Sequence, residues 1–126
     1  MSLLFTYGTL QQNQRNHWRL LGSRYLGAAV VRGELYQFPY FNFPILRRRG
    51  ANWTHGELYE VGRAVIELND EEEKWYRRVK ALAYLTGRDK AGFDIPVSCW
   101  VYEGLNMLPL GLARRLTSGR WPDVRT

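Results

Sequence analysis

The sequence predicts an α+β domain: a curled, barrel-like mixed sheet of five to six strands, with short helices set apart from it. Three observations carry this. Five segments have the apolar, β-branched and aromatic content of strands. The helical stretches between them are short. Glycines sit inside the strand segments, at Gly33 and Gly56, where they allow a sheet to bend.

Residues 3–7 are an apolar run ending at Gly8, a buried strand entering a tight turn. Residues 14–21 place Trp18 and Leu21 three apart, which predicts a short helix or helical turn. Residues 26–38 read as a strand broken at Gly33, and Pro39 to Pro44 as a structured loop or edge segment, since two prolines bracket its aromatics. Residues 53–61 form the next strand. It carries Gly56-Glu57-Leu58-Tyr59, a near copy of Gly33-Glu34-Leu35-Tyr36. Two copies are too few for a solenoid, and the expectation is two similar strands of one curved sheet, each kinked at its glycine. A short helix over 64–68 precedes the acidic run Asp70-Glu71-Glu72-Glu73. Strands over 75–85 and 97–102 follow, joined by a polar hairpin containing Gly87, Asp89 and Gly92, and a terminal helix is expected over 110–116.

The chain has 126 residues, 45% of them hydrophobic and 24% charged. That suffices for one core and reads as a single domain over 1–126. No apolar run approaches the roughly 18 residues of a membrane span, and Met1-Ser2-Leu3-Leu4-Phe5 lacks the basic leader of a signal peptide. Cys99 is the single cysteine; among Val97, Trp100 and Val101 it reads as an inert buried thiol, in keeping with a cytoplasmic setting. The net charge of +6 favours anionic small molecules without naming one. Its arginines are scattered with no recognition motif, so no nucleic-acid partner is expected.

Two histidines, His17 and His55, and one cysteine cannot be written into a zinc-ligand spacing. No nucleophile elbow, P-loop or dinucleotide fingerprint occurs. Two positive signals remain. The turn Tyr7-Gly8-Thr9-Leu10 can aim several backbone N–H groups at one point, which suits a carboxylate or an oxyanion. The run Asp70 to Glu73 is mostly a solvated face, but one carboxylate entering the Trp75-Tyr76 strand can be desolvated and raised in pKa, as a general base needs.

In order along the chain, Leu4-Phe5-Thr6-Tyr7-Gly8-Thr9-Leu10, Gln14-Arg15-Asn16-His17, His55-Gly56-Glu57-Leu58-Tyr59, Leu68-Asn69-Asp70-Glu71-Glu72, Tyr76-Arg77-Arg78 and Ser98-Cys99-Trp100-Val101-Tyr102 resemble the gamma-glutamylcyclotransferase-like superfamily. The family start is Tyr-Gly-Ser/Thr-Leu, and its acidic motif is Leu-Asp-x-x-Glu. The resemblance spans residues 3–103 and implies a barrel-like α+β fold. It also implies release of 5-oxoproline from a γ-glutamyl compound by attack of the substrate's own α-amine. No metal or cofactor is implied, and the partner is the small γ-glutamyl substrate. Mapped here, the backbone of Tyr7, Gly8, Thr9 and Leu10 holds the glutamyl end and Glu72 is the catalytic acid/base, with Glu71 in its place if the register slips. Trp75 or Tyr40 would wall the cavity. Asn69 stands where the family has aspartate, and Glu73 where many members have glycine. A non-catalytic relative that binds the same small ligands is the alternative.

Overall fold

The computed structural model describes residues 1–39, 41–86 and 96–122. Five strands close a barrel in the order β1 (Ser2–Thr6), β5 (Trp53–Val61), β2 (Arg24–Arg32), β6 (Tyr76–Leu85) and β7 (Val97–Gly104). The pairings are antiparallel except where β7 meets β1 in parallel, at Leu4 opposite Trp100. The sheet is therefore mixed and barrel-like, as expected. A separate three-stranded sheet orders β4 (Ile45–Arg47), β3 (Glu34–Gln37) and β8 (Arg114–Arg115). One α-helix, α1 (Arg63–Glu72), and two 3-10 turns, His17–Leu20 and Leu110–Leu112, complete the described residues.

β1 is buried on both faces, which accounts for its unbroken apolar sequence. Phe5 packs inside the barrel with Leu58, Val31, Cys99 and Val101, while Leu4 packs outside it with Leu20, Tyr59, Val61 and Ile66 beneath α1. The barrel closes tightly at two glycines. At Gly27 the β2–β5 register shifts and φ is +143°, a bulge conformation that favours glycine. At Gly56 a methyl group would lie 2.1 Å from the Thr6 carbonyl oxygen. This close approach fixes the end of β1, and hence the turn that leaves it.

Several elements differ from expectation. The two Gly-Glu-Leu-Tyr segments lie in different sheets: Gly33 marks the break between β2 and β3, and Gly56 lies within barrel strand β5. Gly33 is pressed against Leu46 and the Arg47 carbonyl, so the chain crosses there into the second sheet. Strand β4 was not expected, its three residues being too few to show alternation. The helix over 64–68 runs on to Glu72 and takes in most of the acidic run. The terminal helix over 110–116 is a 3-10 turn followed by β8. A helix that short gains little in water, whereas pairing β8 with β3 and donating the Leu116 N–H to the Leu35 carbonyl (2.7 Å) satisfies the backbone. The helix over 14–21 is reduced to the 3-10 turn His17–Leu20. The hairpin with Gly87, Asp89 and Gly92 and the wall residue Tyr40 lie outside the described residues.

Two buried polar groups tie the sheets together. The Tyr7 hydroxyl donates to the Tyr102 carbonyl (2.5 Å) and accepts from the Leu46 N–H (3.2 Å). Tyr7→Phe removes both buried bonds, and the expected loss is about 1–3 kcal/mol of unfolding free energy by urea titration. Glu103 accepts from the Arg48 N–H (2.8 Å) and faces the guanidinium groups of Arg48 and Arg77. Burial alone would raise its pKa; those partners outweigh it and hold the carboxyl below its ordinary value. Its stabilising contribution is therefore present above the unfolded value near 4.3 and lost as pH falls through the lowered one. The urea midpoint should fall more steeply on acidification in wild type than in Glu103→Gln. Parallel pH profiles would remove this role.

Candidate active site

The chain leaves β1 through Tyr7-Gly8-Thr9-Leu10 and turns sharply, with the Gln11 N–H donating to the Gly8 carbonyl (3.0 Å). Gly8 lies against the ring of Pro44: a methyl group there would be 2.8 Å from Pro44 Cγ. Asn16 locks the turn from outside. Its N–H donates to the Thr9 carbonyl (3.0 Å) and its side-chain amide to Thr9 Oγ1 (2.9 Å). His17 Nδ1 bonds the Leu10 carbonyl (2.8 Å). These bonds consume the turn's carbonyl groups. Among the described residues, the backbone N–H groups of Gly8, Thr9 and Leu10 have no protein acceptor.

The turn forms one side of a cleft of about 160 Å³. That is several times the roughly 30 Å³ share of one water molecule, so the space suits a small ligand. The cleft gathers Thr6 to Leu10, Arg15, Asn16 and Arg19 with Glu72, Glu73 and Lys74 from the end of α1. Phe43, Pro44, Trp75 and Tyr76 supply an apolar wall. Phe41 stacks between Phe43 and Trp75, with ring centroids 4.9 and 6.2 Å away. The Tyr76 hydroxyl donates to the Pro44 carbonyl, which joins the wall to the loop that backs Gly8.

The acidic run divides by position. Asp70 accepts from the Tyr102 hydroxyl (2.8 Å) and from Arg78 (3.0 Å). Burial opposes ionisation there, but the bonds from Arg78 and Tyr102 outweigh it and hold the carboxyl below its ordinary value. Glu71 is exposed and does not line the cleft. Glu72 is exposed at the rim. Glu73 caps the helix, its N–H donating to the Asn69 carbonyl (3.0 Å), and its side chain is only 14% exposed. Burial raises the Glu73 pKa; Arg19, 3.5 Å away, opposes the rise, and Glu72 adds to it. The negative end of the helix dipole is a further cost to charge at this place.

The structure thus brings together the predicted turn residues Tyr7, Gly8, Thr9 and Leu10 with Glu72, while Glu71 stands apart. Trp75, expected as a wall residue, is one. The backbone of Tyr7 belongs to the turn, whereas its buried hydroxyl serves the fold. Arg15, Asn16 and Tyr76 stood in the family-like motifs without a site role, and Arg19 and the interior position of Glu73 were not found from the sequence. One signal for Glu73 was present: Ile66, Asn69 and Glu73 follow the i, i+3, i+7 spacing of a single helix face, and Ile66 and Asn69 are both buried. Cys99 lies fully buried in the barrel core, where burial pushes its thiol up to about 12. Among the described residues no helix is long and apolar enough to cross a membrane.

Comparison with known proteins gives a consistent assignment. The family model described as gamma-glutamyl cyclotransferase, AIG2-like, matches residues 4–123. The gamma-glutamylaminecyclotransferase C of Danio rerio is 30% identical over 119 residues, covering 84% of this chain and 77% of that protein. The crystal structure of the uncharacterized protein PH0828 from Pyrococcus horikoshii shares the fold, with a TM-score of 0.73 at 24% identity, over 96% of this chain and 90% of that one. An AIG2-like protein of Mus musculus does likewise, with a TM-score of 0.74 at 24% identity, over 86% of this chain and 80% of that one. The chain belongs to the AIG2-like gamma-glutamyl cyclotransferase family.

Proposed function

We propose that the cleft cyclises a γ-glutamyl compound to 5-oxoproline and releases the attached amine, with Glu73 as acid and base. One observation carries the reading: a largely buried carboxylate shares a cleft with a turn in which the Gly8, Thr9 and Leu10 N–H groups have no acceptor among the described residues. The amides of the Tyr7-Gly8-Thr9-Leu10 turn hold the anionic glutamyl end. Glu73 takes a proton from the substrate's α-ammonium. The freed amine attacks the γ-carbonyl and a carbon–nitrogen bond forms within the substrate. Glu73 returns the first proton to the leaving nitrogen as the bond to it breaks, and the second proton, lost by the new ring nitrogen, leaves with the departing amine as its ammonium. An amine of pKa near 8 and an ordinary glutamate near 4.3 are poorly matched; the burial that raises Glu73 narrows the gap. The nucleophile belongs to the substrate, so the scheme calls for no metal or cofactor. The lone buried thiol of Cys99 fits a cytoplasmic setting for the same reading.

Glu73 is preferred to Glu72, which the sequence spacing selects, because the Glu73 side chain is enclosed within the cleft whereas Glu72 stands exposed at its rim. The motif Leu-Asp-x-x-Glu then reads one residue later, as Asn69-Asp70-Glu71-Glu72-Glu73, with Asn69 on the buried face in the place of leucine. Its aspartate becomes Asp70, bonded to Tyr102 and Arg78.

The ion pair of Arg19 with Glu73 favours a second reading, a non-catalytic binder of the same ligands, since a neighbouring cation lowers the basicity of a carboxylate. Incubation with a panel of γ-glutamyl amino acids and γ-glutamyl amines separates the two. The expected result is 5-oxoproline formed in equal amount to the released amine. Ligand stabilisation with no 5-oxoproline from any member would leave the binder in its place.

A further inference from the structure

Arg19 has no counterpart in the scheme above. Its side chain is 7% exposed and lines the cleft. Among the described residues its guanidinium donates no hydrogen bond, and the fully buried Nη1 has only an ion-pair contact. Nη1 pairs with Glu73 alone among the described residues, 3.5 Å from its Oε1. A guanidinium has five N–H donors in a fixed fork, and leaving them unmade in a buried place is costly. Arg15, four residues earlier in the loop that precedes the 3-10 turn, also lines the cleft; it is exposed and has no hydrogen bond or ion pair among the described residues. Both arginines act electrostatically on Tyr76 across the cleft. Two cations with unused donors thus reach one cleft from the same short segment, one deep and one near the mouth.

We propose that Arg19 and Arg15 receive a carboxylate carried by the leaving group, so that the substrates are γ-glutamyl amino acids or peptides rather than simple γ-glutamyl amines. The inference rests on the cyclotransferase reading. In that reading the glutamyl carboxylate is held by the turn amides, which leaves the arginines for a second anion. The carboxylate of a departing α-amino acid lies one carbon from the nitrogen that Glu73 protonates. A cation 3.5 Å from Glu73 is therefore in reach of it, and a planar fork matches a carboxylate with two parallel bonds. The relative from Danio rerio is named for γ-glutamylamines; in this chain the pair of arginines would set a preference for leaving groups that carry a carboxylate.

A matched pair of substrates tests the idea. γ-Glutamylalanine and γ-glutamylethylamide differ only by the carboxylate. Wild type is expected to favour the alanine compound by about tenfold or more in kcat/KM, equivalent to about 1.4 kcal/mol. Arg15→Gln should reduce that preference, mainly through KM for the alanine compound. Arg19→Gln should reduce it further, and Arg19→Lys should restore part of it. Equal losses on both substrates would mean that the arginines hold the glutamyl carboxylate, and would overturn the proposal. So would equal rates for the two substrates in wild type. Calorimetric binding of the same compounds keeps the inference testable if 5-oxoproline is not formed. Tighter binding of the alanine compound, lost in the exposed-site variant Arg15→Gln, would uphold carboxylate recognition while the cyclotransferase reading fails. Equal binding of the two would refute both the clamp and its specificity.

Discussion

Glu73→Gln is expected to lower 5-oxoproline release by about 100- to 10,000-fold, the usual contribution of a positioned acid/base, with little change in KM. Glutamine keeps the size and polarity of the side chain but cannot carry the proton from the α-ammonium to the leaving nitrogen. The far-ultraviolet circular dichroism spectrum and urea transition should stay cooperative, because the main-chain bond from the Glu73 N–H to the Asn69 carbonyl survives the change. The Arg19 guanidinium loses its counter-charge, so a modest fall in the urea midpoint is expected as well. Glu72→Gln, at the exposed rim, should alter turnover by no more than about threefold, well under the contribution of a positioned acid/base. Full activity in the Glu73 variant with loss in the Glu72 variant would return the role to the residue chosen by sequence spacing.

The second large effect is on the fold that positions the turn. Gly56→Ala would place a methyl group 2.1 Å from the Thr6 carbonyl oxygen and 2.8 Å from Phe5 Cζ. The obstruction is backbone on one side and a fully packed aromatic ring on the other, so neither yields cheaply. The expected cost is about 3 kcal/mol, at the upper end for overpacking. With a urea dependence of roughly 1–3 kcal/mol per molar for a chain of this size, the midpoint should fall by about 1 M or more. Because β1 leads directly into Tyr7-Gly8, activity should fall with it. A wild-type midpoint in this variant would show that β1 and β5 are not held at the observed separation.

The barrel was legible because its strands carry local signals. The apolar run ending at Gly8 expresses burial on both faces of β1, and the β-branched and aromatic content of the later segments marks them as strands. What escaped the sequence depends on partners distant in the chain. Ile45 to Arg47 form a strand only because β3 lies beside them, and Arg114 and Arg115 are extended for the same reason. The repeated Gly-Glu-Leu-Tyr could not show that its copies enter different sheets, since identical local propensity is compatible with either. The cleft was half legible. The turn has a local signature in glycine after a strand, and an acid at the end of α1 was foreseen. Which of three adjacent glutamates turns inward is decided by the phase of the helix, set by Ile66 and Asn69 against the barrel. A buried asparagine at that position hid the phase, because apolar periodicity is read from apolar residues. Arg19 was hidden likewise: arginines are mostly exposed, and nothing local distinguishes the buried one.

The pH dependence of kcat/KM for 5-oxoproline release, in wild type, Glu72→Gln and Glu73→Gln, is the most direct test of the site. The base acts when deprotonated, and burial raises its pKa. Activity should therefore climb through an acid limb centred above the ordinary glutamate value near 4.3. Wild type and Glu72→Gln should share that limb, and in Glu73→Gln it should vanish along with most of the rate. An unchanged limb and rate in Glu73→Gln would contradict the assignment of the acid/base to this buried carboxylate.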